Sequence, residues 1–499
     1  MIRSLLARPL AAYIVGQQQR WIKQSSQIQR QTLQSLLQKA QHTQFGKDHG
    51  FADIKDHRDF CQQVPLRDYE ALRPYMERLV AGAADVLWPG RPAYFAKTSG
   101  TTSGTKYIPL TRDSLPNHIG SARDALLCYV HQSGNARFLD RNLMFLSGSP
   151  VLSDTHGIPT GRLSGIVNHH IPAYLRSNQR PSYPTNCIDD WEQKLDRVVE
   201  ETLTSDMSLI SGIPPWVQMY FDRLHQKTGG KRIKEIFPNF SVFVYGGVNF
   251  EPYRAQIFDS IGERIPSIET FPASEGFFAY QNDQDDPSLL LLLNSGIFFE
   301  FVPPEELEKP QPRRLTIDQI ELDTNYALVI NNNAGLWGYL IGDMVRFVSK
   351  DPYKIVFAGR TKHFISAFGE HVIGQEVERA FAYAMQQHPE TRVREFSVAP
   401  QVNPPAQMLP HHEWLIAFET LPHDLNAFAA DLDQQMCAQN IYYRDLITGK
   451  ILQPLRVRPL QADAFARYMK SLGKLGGQNK VPRLSDNRDI AEQVLTWAR

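Results

Sequence analysis

The sequence predicts an α/β protein of two domains: a large N-terminal domain that combines mixed sheets with helices, and a small α+β C-terminal domain. The chain has 499 residues, and chains beyond roughly 250–300 residues usually divide into domains. Between residues 90 and 360, short apolar runs alternate with helical stretches, which indicates a parallel or mixed sheet covered by helices. The pattern changes near residue 360. We therefore predict domains at residues 1–358 and 359–499.

The first forty residues are predicted to be helical. Residues 1–16 are largely apolar, but Arg8 and Pro9 interrupt the run and no clean cleavage site follows. We expect a helix packed on the body of the protein, not a signal peptide. Residues 17–40 are rich in glutamine, and three leucines recur there at helical spacing, which predicts a helix with a polar face.

Further elements follow from apolar periodicity and from flanking turn residues. Strands are predicted at Met144–Ser147, Ser241–Tyr245, Ile297–Val302, Tyr326–Ile330, Asp343–Val348 and Trp414–Phe418. Helices are predicted at Trp191–Leu203, Val377–Met385 and Leu425–Cys437. Lys350 and Lys354 are expected on a solvated strand edge.

Charge and cysteine content narrow the functional class. Lys plus Arg and Asp plus Glu both number 53, so no net field favours nucleic acid or an anionic membrane as a partner. The four cysteines are far apart and form no CxxC pair, which argues against a zinc site or a disulfide scaffold. Apolar runs such as residues 289–293 are too short to span a bilayer. We expect a cytoplasmic protein.

The segment Thr98–Lys106 is the strongest chemical signal, because glycine and hydroxyl residues there precede a lysine. Glycines allow backbone N–H groups to approach an anion, and a lysine can neutralise phosphate charge. Lys106 leads into a strand-like run, so the segment is not a strand–loop–helix P-loop. The alternative is a flexible linker. The candidate phosphate-binding residues are Ser99, Gly100, Thr101, Thr102, Ser103, Gly104 and Lys106.

Two later segments could hold a nucleotide base and a metal ion. A predicted strand ends in Gly246-Gly247, which would let a flat ring lie against the main chain, although such a strand end is often only a turn. In Phe271–Glu275, the aromatic ring could stack on adenine and the carboxylate could bind Mg²⁺. Taken alone, the second segment is equally a loop with a solvated glutamate.

Three more segments complete the set. Asp343 follows a glycine at the lip of a predicted strand, where a carboxylate can bind the two ribose hydroxyls; the alternative is an aspartate in a type II turn. Gly359-Arg360 begins a run that continues through Gly369 towards Glu378. Lys480 lies in a glycine-rich tail and could neutralise charge in a transition state, unless that tail is only disordered.

These six segments, in this order, resemble the adenylate-forming superfamily of acyl-CoA synthetases, luciferase and peptide-synthetase adenylation domains. Over nearly the whole chain the sequence resembles the GH-three family, the auxin-responsive acyl acid–amido synthetases of plants and their bacterial relatives. The segments that carry this second resemblance are Val64–Tyr75, Leu87–Gly90, Tyr339–Asp343, Asn440–Arg444 and Gln478–Arg483. Two positions depart from the pattern: Leu340 replaces a usual arginine, and Pro272 replaces a usual small residue.

The resemblance implies an enzyme that uses ATP and Mg²⁺ to convert a carboxylic acid into an acyl-AMP and then passes the acyl group to an amino acid. It implies catalytic roles for Lys106, Glu275 and Lys480, with Glu275 also binding the metal. It implies that the small domain swings about a hinge at Lys362. The implied nucleotide-binding residues, beyond the loop, are Gly247, Val248, Phe271, Ser274, Asp343 and Arg360.

Other interpretations stay open at this point. The same residues would serve an acyl-CoA ligase, or a nucleotide-binding protein without turnover. The acyl pocket should be apolar, and Ile166, Tyr174 and Trp216 are candidates that could equally be core residues. We expect small-molecule substrates only, with no nucleic acid or membrane partner. We expect a monomer, although the sequence does not decide the oligomeric state.

Overall fold

The computed structural model describes residues 2–101, 104–171, 176–247, 250–307, 309–360, 364–365, 367–370, 372–405, 408–472, 481 and 483–498. The chain divides into two compact units. Unit 1 comprises residues 1–98, 106–189 and 193–361, and unit 2 comprises residues 99–105, 190–192 and 362–499.

Strands β1 to β15 precede residue 361. They are β1 Tyr94–Thr101, β2 Gly104–Leu110, β3 Asn142–Phe145, β4 Ser153–Thr155, β5 Ile158–Gly161, β6 Gln179–Arg180, β7 Met207–Ser211, β8 Val242–Gly246, β9 Ser267–Ala273, β10 Gly276–Tyr280, β11 Leu289–Leu291, β12 Ile297–Val302, β13 Asn325–Asn332, β14 Tyr339–Lys350 and β15 Tyr353–Arg360. The segment predicted as a phosphate loop thus continues β1 and begins β2.

An eleven-stranded sheet organises unit 1, in the order β12-β13-β14-β15-β11-β10-β9-β8-β7-β3-β6. In this spatial order, the neighbours β9, β8, β7, β3 and β6 pair in parallel. The neighbours β12, β13, β14, β15, β11, β10 and β9 pair antiparallel. A four-stranded sheet, β2-β1-β5-β4, accompanies it. The predicted mixed-sheet α/β architecture is therefore confirmed.

Helices of four to 21 residues accompany these sheets. They are α1 Ile2–Ile22, α2 Ser25–Ala40, α3 Gln44–Asp48, α4 His57–Gln63, α5 Tyr69–Val80, α6 Leu115–Ser133, α7 Leu163–His169, α8 Tyr183–Asn186, α9 Trp191–Thr202, α10 Pro214–Thr228, α11 Ile233–Ile236 and α12 Glu251–Ile261. The side chains of Asp56 and Asp68 cap the first turns of α4 and α5. The predicted N-terminal helix is confirmed, since Ala7 and Ala11 are buried against α6.

The glutamine-rich region departs from the predicted polar face at two positions. Gln29 is buried, and its amide donates to the carbonyls of Leu293 (2.7 Å) and Ile297 (2.8 Å) and accepts from the Phe299 N–H (2.9 Å). Gln18 is buried and donates to the Tyr280 hydroxyl. A buried amide with its hydrogen bonds made is stable, so these two glutamines fasten the N-terminal helices to the long sheet.

The segment after α4 joins the edge of the β13–β14 hairpin. The Arg67 N–H donates to the Gly338 carbonyl, and the Leu340 N–H donates to the Arg67 carbonyl, both at 2.8 Å. This bridge places the block Val64–Tyr75 directly against β14. α5 follows and buries Tyr69 and Leu72 on one face.

Unit 2 is a smaller α+β body. Its elements are β16 Phe364–Ile365, β17 Val372–Ile373, α13 Gly374–Gln387, β18 Arg392–Gln401, β19 His411–Thr420, α14 Leu425–Gln439, α15 Ile441–Thr448, β20 Arg456–Leu460, α16 Ala464–Ser471 and α17 Asp489–Val494. β19 lies between β18, which is antiparallel to it, and β20, which is parallel. Asn440 caps α15 and donates to the Glu370 carbonyl, so the resemblance segment Asn440–Arg444 is a helix start.

The predicted strands and helices are found with their ends shifted by a few residues, as is usual for element boundaries. One expectation is wrong: Lys354 is buried and its ammonium lies 2.7 Å from the Asp286 carboxylate, whereas Lys350 is exposed. In the described part of the chain, no helix combines the length and the apolarity needed to cross a bilayer.

Candidate active site

The glycine pair after β8 stands at the carboxyl end of the parallel half of the sheet. A Cβ atom on Gly246 would lie 2.3 Å from the Thr270 carbonyl oxygen, so only glycine fits between β8 and β9. Gly247 has φ +83°, a left-handed conformation that glycine adopts at little cost. Carboxyl ends of parallel strands are the usual place for a ligand crevice. The local geometry suits a flat group lying close to the main chain.

Phe271 follows Thr270, the residue that Gly246 approaches, and lies near the end of β9. Its half-buried ring meets Phe278 edge-on at 5.4 Å and Phe357 edge-on at 6.0 Å between centroids. The second contact reaches across to β15. These neighbours fix the ring in position and bring the Phe271 segment beside the strands that carry Asp343 and Arg360.

Glu275 occupies the turn between β9 and β10. Its main-chain carbonyl accepts a hydrogen bond from the Asn332 amide at 2.8 Å, which fixes the turn. Its Oε1 lies 3.4 Å from the Tyr339 hydroxyl. Burial, and then the charge of Glu275, raise the pKa of Tyr339 well above its ordinary value, so the phenol stays protonated and donates. The half-buried carboxylate retains acceptor positions, which suits a hard cation such as Mg²⁺.

Asp343 departs from its predicted setting. It lies inside β14, opposite Arg360 on β15, and not in a turn at the lip of a strand. Leu340 pairs with Val329 of β13, and Met344 pairs with Ala327. Between these two pairs β14 spans four residue steps and β13 only two, so β14 bulges. Gly342 permits the bulge with φ +89°, and Asp343 is buried.

Lys106 begins the apolar part of β2 and lies with its ammonium 5.6 Å from the centre of the Tyr69 ring. The Tyr69 hydroxyl accepts a hydrogen bond from the Tyr107 N–H at 2.9 Å. The negative charge of an ionised Tyr69 also contributes to the rise in the pKa of Tyr339. Tyr69 therefore lies beside Lys106, and Tyr339 lies beside Glu275.

The remaining predicted residues are only partly described. The main chains of Ser99, Gly100, Thr101, Gly104 and Arg360 belong to β1, β2 and β15, and Ser274 adjoins Glu275 in its turn. Ile166 is fully buried on α7 in the large core of unit 1, and Trp216 is half-buried on α10. Six predicted residues lie outside the described part of the chain: Thr102, Ser103, Tyr174, Val248, Lys362 and Lys480.

Sequence reasoning did not assign roles to the residues that support this region. Tyr69, Tyr339 and Asn332 have no chemical signature of their own, and only their contacts with Lys106 and Glu275 distinguish them. Lys194 is a further case. It is buried and donates to the carbonyls of Ser147 and Asn186, and burial, followed by the charge of Arg162, lowers its pKa to about 8.

Family models match the chain in three consecutive segments. The GH3 family N-terminal domain matches residues 15–195, the GH3 family central domain residues 290–360, and the GH3 family C-terminal domain residues 375–489. The chain belongs to the GH3 family. The family predicted from the sequence motifs is thereby confirmed.

Named relatives of this GH3 protein are synthetases that join acids to amino acids. A jasmonoyl–L-amino acid synthetase, JAR4 of Nicotiana attenuata, is 23% identical over 65% of this chain and 67% of its own length. An indole-3-acetic acid-amido synthetase, GH3.3 of Arabidopsis thaliana, is 21% identical over 93% of this chain and 90% of its own length. Both are plant proteins, so the suggestion of a bacterial-type member stays a prediction.

A solved structure supports the fold of this GH3 protein. The GH3.15 acyl acid amido synthetase superimposes with a TM-score of 0.58 at 17% identity, covering 95% of this chain and 94% of that one. The predicted fold, a mixed α/β body with a separate C-terminal α+β body, agrees with this likeness.

Proposed function

We propose that this GH3 protein is an ATP-dependent acyl acid–amido synthetase. The observation that carries the proposal is the match of the family models to three consecutive segments of one chain. Named relatives that align over most of their length are amido synthetases of indole-3-acetic acid and jasmonate. The contacts of Lys106 with Tyr69 and of Glu275 with Tyr339 support it, because each places a residue type suited to phosphate or metal binding beside a tyrosine of unit 1.

In the proposed first step, a carboxylate oxygen of the acid attacks the α-phosphorus of ATP and pyrophosphate leaves. Both reactants are anions, so charge neutralisation and alignment carry the catalysis. Lys106 and the main-chain N–H groups of the loop would hold the β- and γ-phosphates. Lys480 would offset the charge that develops on the α-phosphate.

Residues on β9, β14 and β15 would bind the nucleoside. The space beside Gly246-Gly247 and the ring of Phe271 would hold adenine, with Val248 and Ser274 adjoining. Asp343 would bind the ribose hydroxyls, and Arg360 the ribose or a phosphate. Glu275 would hold Mg²⁺, which supplies positive charge to the phosphates when bound.

In the proposed second step, the amine of an amino acid attacks the acyl carbonyl and AMP leaves as the amide forms. The family resemblance adds a swing of the C-terminal domain, residues 359–499, about Lys362 between the two steps. The acid would lie near Ile166, Tyr174 and Trp216. We place the enzyme in the cytoplasm, where both substrates and ATP are available.

Pyrophosphate release tests this function directly. The purified protein with ATP and Mg²⁺ should release pyrophosphate with some members of a carboxylic acid panel, and adding each amino acid in turn should yield an amide detectable by mass spectrometry. Thioester formation with coenzyme A, and none with amino acids, would establish the acyl-CoA ligase instead. ATP binding without pyrophosphate release for any acid would contradict an enzymatic role.

Lys480 is tested by its alanine variant. Lys480→Ala should lower the rate of acyl-AMP formation about 10²–10³-fold, because one charge-stabilising group is removed. Lys470→Ala is the matched control, since Lys470 is an exposed lysine on the preceding helix α16. Unchanged adenylation by Lys480→Ala would remove this residue from the mechanism.

A further inference from the structure

A second cluster of reactive side chains lies in unit 1, where α4 meets β12. His57 and Cys61 stand one turn apart on α4, and Glu300 lies in the middle of β12. The His57 Nε2 atom is 2.7 Å from the Glu300 Oε1 atom and 3.3 Å from the Cys61 Sγ atom. The Sγ and Oε1 atoms are 3.6 Å apart. Nitrogen, sulfur and oxygen donors therefore converge on one point.

The three atoms form a triangle of the size that a tetrahedral metal site requires. Zinc bonds of about 2.0–2.1 Å to nitrogen and oxygen and about 2.3 Å to sulfur, at tetrahedral angles, separate nitrogen from oxygen by about 3.3 Å and sulfur from either by about 3.6 Å. Two of the observed separations, 3.3 Å and 3.6 Å, are close to these values, and the third, 2.7 Å, is shorter. If a cation replaces the proton between His57 and Glu300, the distance between Nε2 and Oε1 must increase slightly. A small movement of the imidazole away from Glu300 is sufficient.

The carboxylate of Glu300 is already held by outer partners. Arg314 donates from Nε to Oε1 at 2.9 Å and from Nη2 to Oε2 at 2.5 Å, and Asn331 donates to Oε2 at 2.8 Å. The carboxylate is fully buried, and the Arg314 guanidinium is nearly so. Hydrogen-bonded outer partners of this kind orient ligating carboxylates in metal sites. They hold Oε1 facing His57 and Cys61 without any movement of β12.

The cluster is accessible and offers anionic ligands. The His57 side chain is 23% exposed and Cys61 is half-buried, so a cation and a water ligand can reach the cluster from solvent. The Glu300 carboxylate and the thiolate that Cys61 forms on losing its proton would both face the cation. The Arg314 guanidinium beside Glu300 offsets one of these two negative charges.

We propose that His57, Cys61 and Glu300 form a binding site for a divalent cation of borderline softness, best matched by Zn²⁺, with a water molecule as fourth ligand. Imidazole and thiolate select Zn²⁺ over Mg²⁺, which prefers oxygen ligands. The site is separate from the proposed Mg²⁺ ligand Glu275 and does not depend on the proposed function. Cysteine spacing along the sequence does not indicate this site, because the third ligand comes from more than two hundred residues away.

Metal retention and cobalt spectroscopy test the proposal. The nucleotide-free protein, stripped with a chelator and reloaded with Zn²⁺, should retain about one ion per chain after dialysis. With Co²⁺ it should show a thiolate-to-cobalt charge-transfer band in the near ultraviolet. Cys61→Ser should lose the band and most of the retained zinc. Cys437→Ser is the matched control, because Cys437 is also half-buried one turn after a polar residue on a helix, here Asp433.

His57→Gln provides a second comparison that does not alter the thiol. It keeps a polar side chain beside Glu300 and should lower zinc retention at least tenfold, whether or not Cys61→Ser reduces the folded fraction. Circular dichroism checks that each variant is folded. No charge-transfer band in the folded wild type, or a band that persists in both Cys61→Ser and His57→Gln, would overturn the proposal.

Discussion

Two glutamates, Glu275 and Glu300, show how the same side chain serves different purposes in one unit. Glu300 is fully buried, and its carboxylate has five hydrogen bonds: one each with His57, Cys61 and Asn331 and two with Arg314. Glu275 is half-buried, and its carboxylate has a single long contact, to Tyr339, among the residues that the structure describes.

Consecutive residues of β13 serve both glutamates. The Asn331 amide donates to the Glu300 carboxylate, whereas the Asn332 amide donates to the Glu275 main chain. Successive strand residues face opposite sides of a sheet, so β13 separates the two settings. Asn331 satisfies a charge, but Asn332 only fixes a turn and leaves the carboxylate able to bind a ligand. The number of hydrogen bonds at a carboxylate therefore distinguishes a glutamate that stabilises the fold from one that can bind a ligand.

The largest expected effect comes from breaking the Glu300 cluster. Burial alone would raise the pKa of Glu300, but the charge of Arg314 and its hydrogen bonds hold that pKa at about 2, so the group is ionised in the folded protein. Glu300→Gln leaves the buried guanidinium unpaired and should lower the free energy of unfolding by about 3–5 kcal/mol. Urea denaturation measures this.

Glu200→Gln is the matched control for that experiment. Glu200 pairs with Arg197, and the side chains of both residues are exposed, at 49% and 61%. An exposed pair contributes little, so this variant should change stability far less. Equal losses in the two variants would show that the buried pair has no special role.

Glu275→Gln should affect activity and leave the fold unchanged. Removing the negative charge at the proposed Mg²⁺ ligand should lower the adenylation rate about 10²–10³-fold, because charge neutralisation of the phosphates is lost. The midpoint of urea denaturation should stay near that of the wild type, since the turn is fixed by its main chain. Glu263→Gln, at an exposed glutamate, serves as control. An unfolded Glu275→Gln protein would place this residue with Glu300 as structural.

His118 extends the comparison to a buried imidazole. Its Nδ1 atom has no hydrogen-bond partner within the described residues, and burial lowers its pKa from 6.5 to about 4. Between these values the unfolded chain binds a proton that the folded chain does not, so stability should fall as the pH falls from 6.5 to 4. The loss should reach about 3 kcal/mol, since one pKa unit corresponds to about 1.4 kcal/mol.

Urea denaturation across this pH range, compared between wild type and His118→Gln, isolates the contribution. The variant should show a shallower pH dependence. His131→Gln is the control, because His131 lies exposed on the same helix, α6. Parallel pH profiles for wild type and His118→Gln would contradict the assignment.

Local patterns predicted the elements and indicated many candidate site residues because their signals are local. The glycines at the end of β8 and the segment Phe271–Glu275 are candidates from residue type and order alone. The start of β14 before Asp343, and the bulge there, could not be predicted, because both depend on pairing with β13. Lys354 was misplaced for the same reason: its partner Asp286 is 68 residues away. Long-range pairs decide such positions, and periodicity does not encode them.

The hydrogen bonds of Gln29 have a consequence for synthesis on the ribosome. The amide of this residue meets its partner Phe299 across 270 positions of sequence. Translation at about 5–20 residues per second leaves helix α2 waiting roughly 15–55 s before β12 emerges. During that interval the apolar face of α2, which includes Leu33 and Leu36, has no β12 to pack against. The N-terminal helices can therefore reach their final packing only after more than half of the chain has been synthesised.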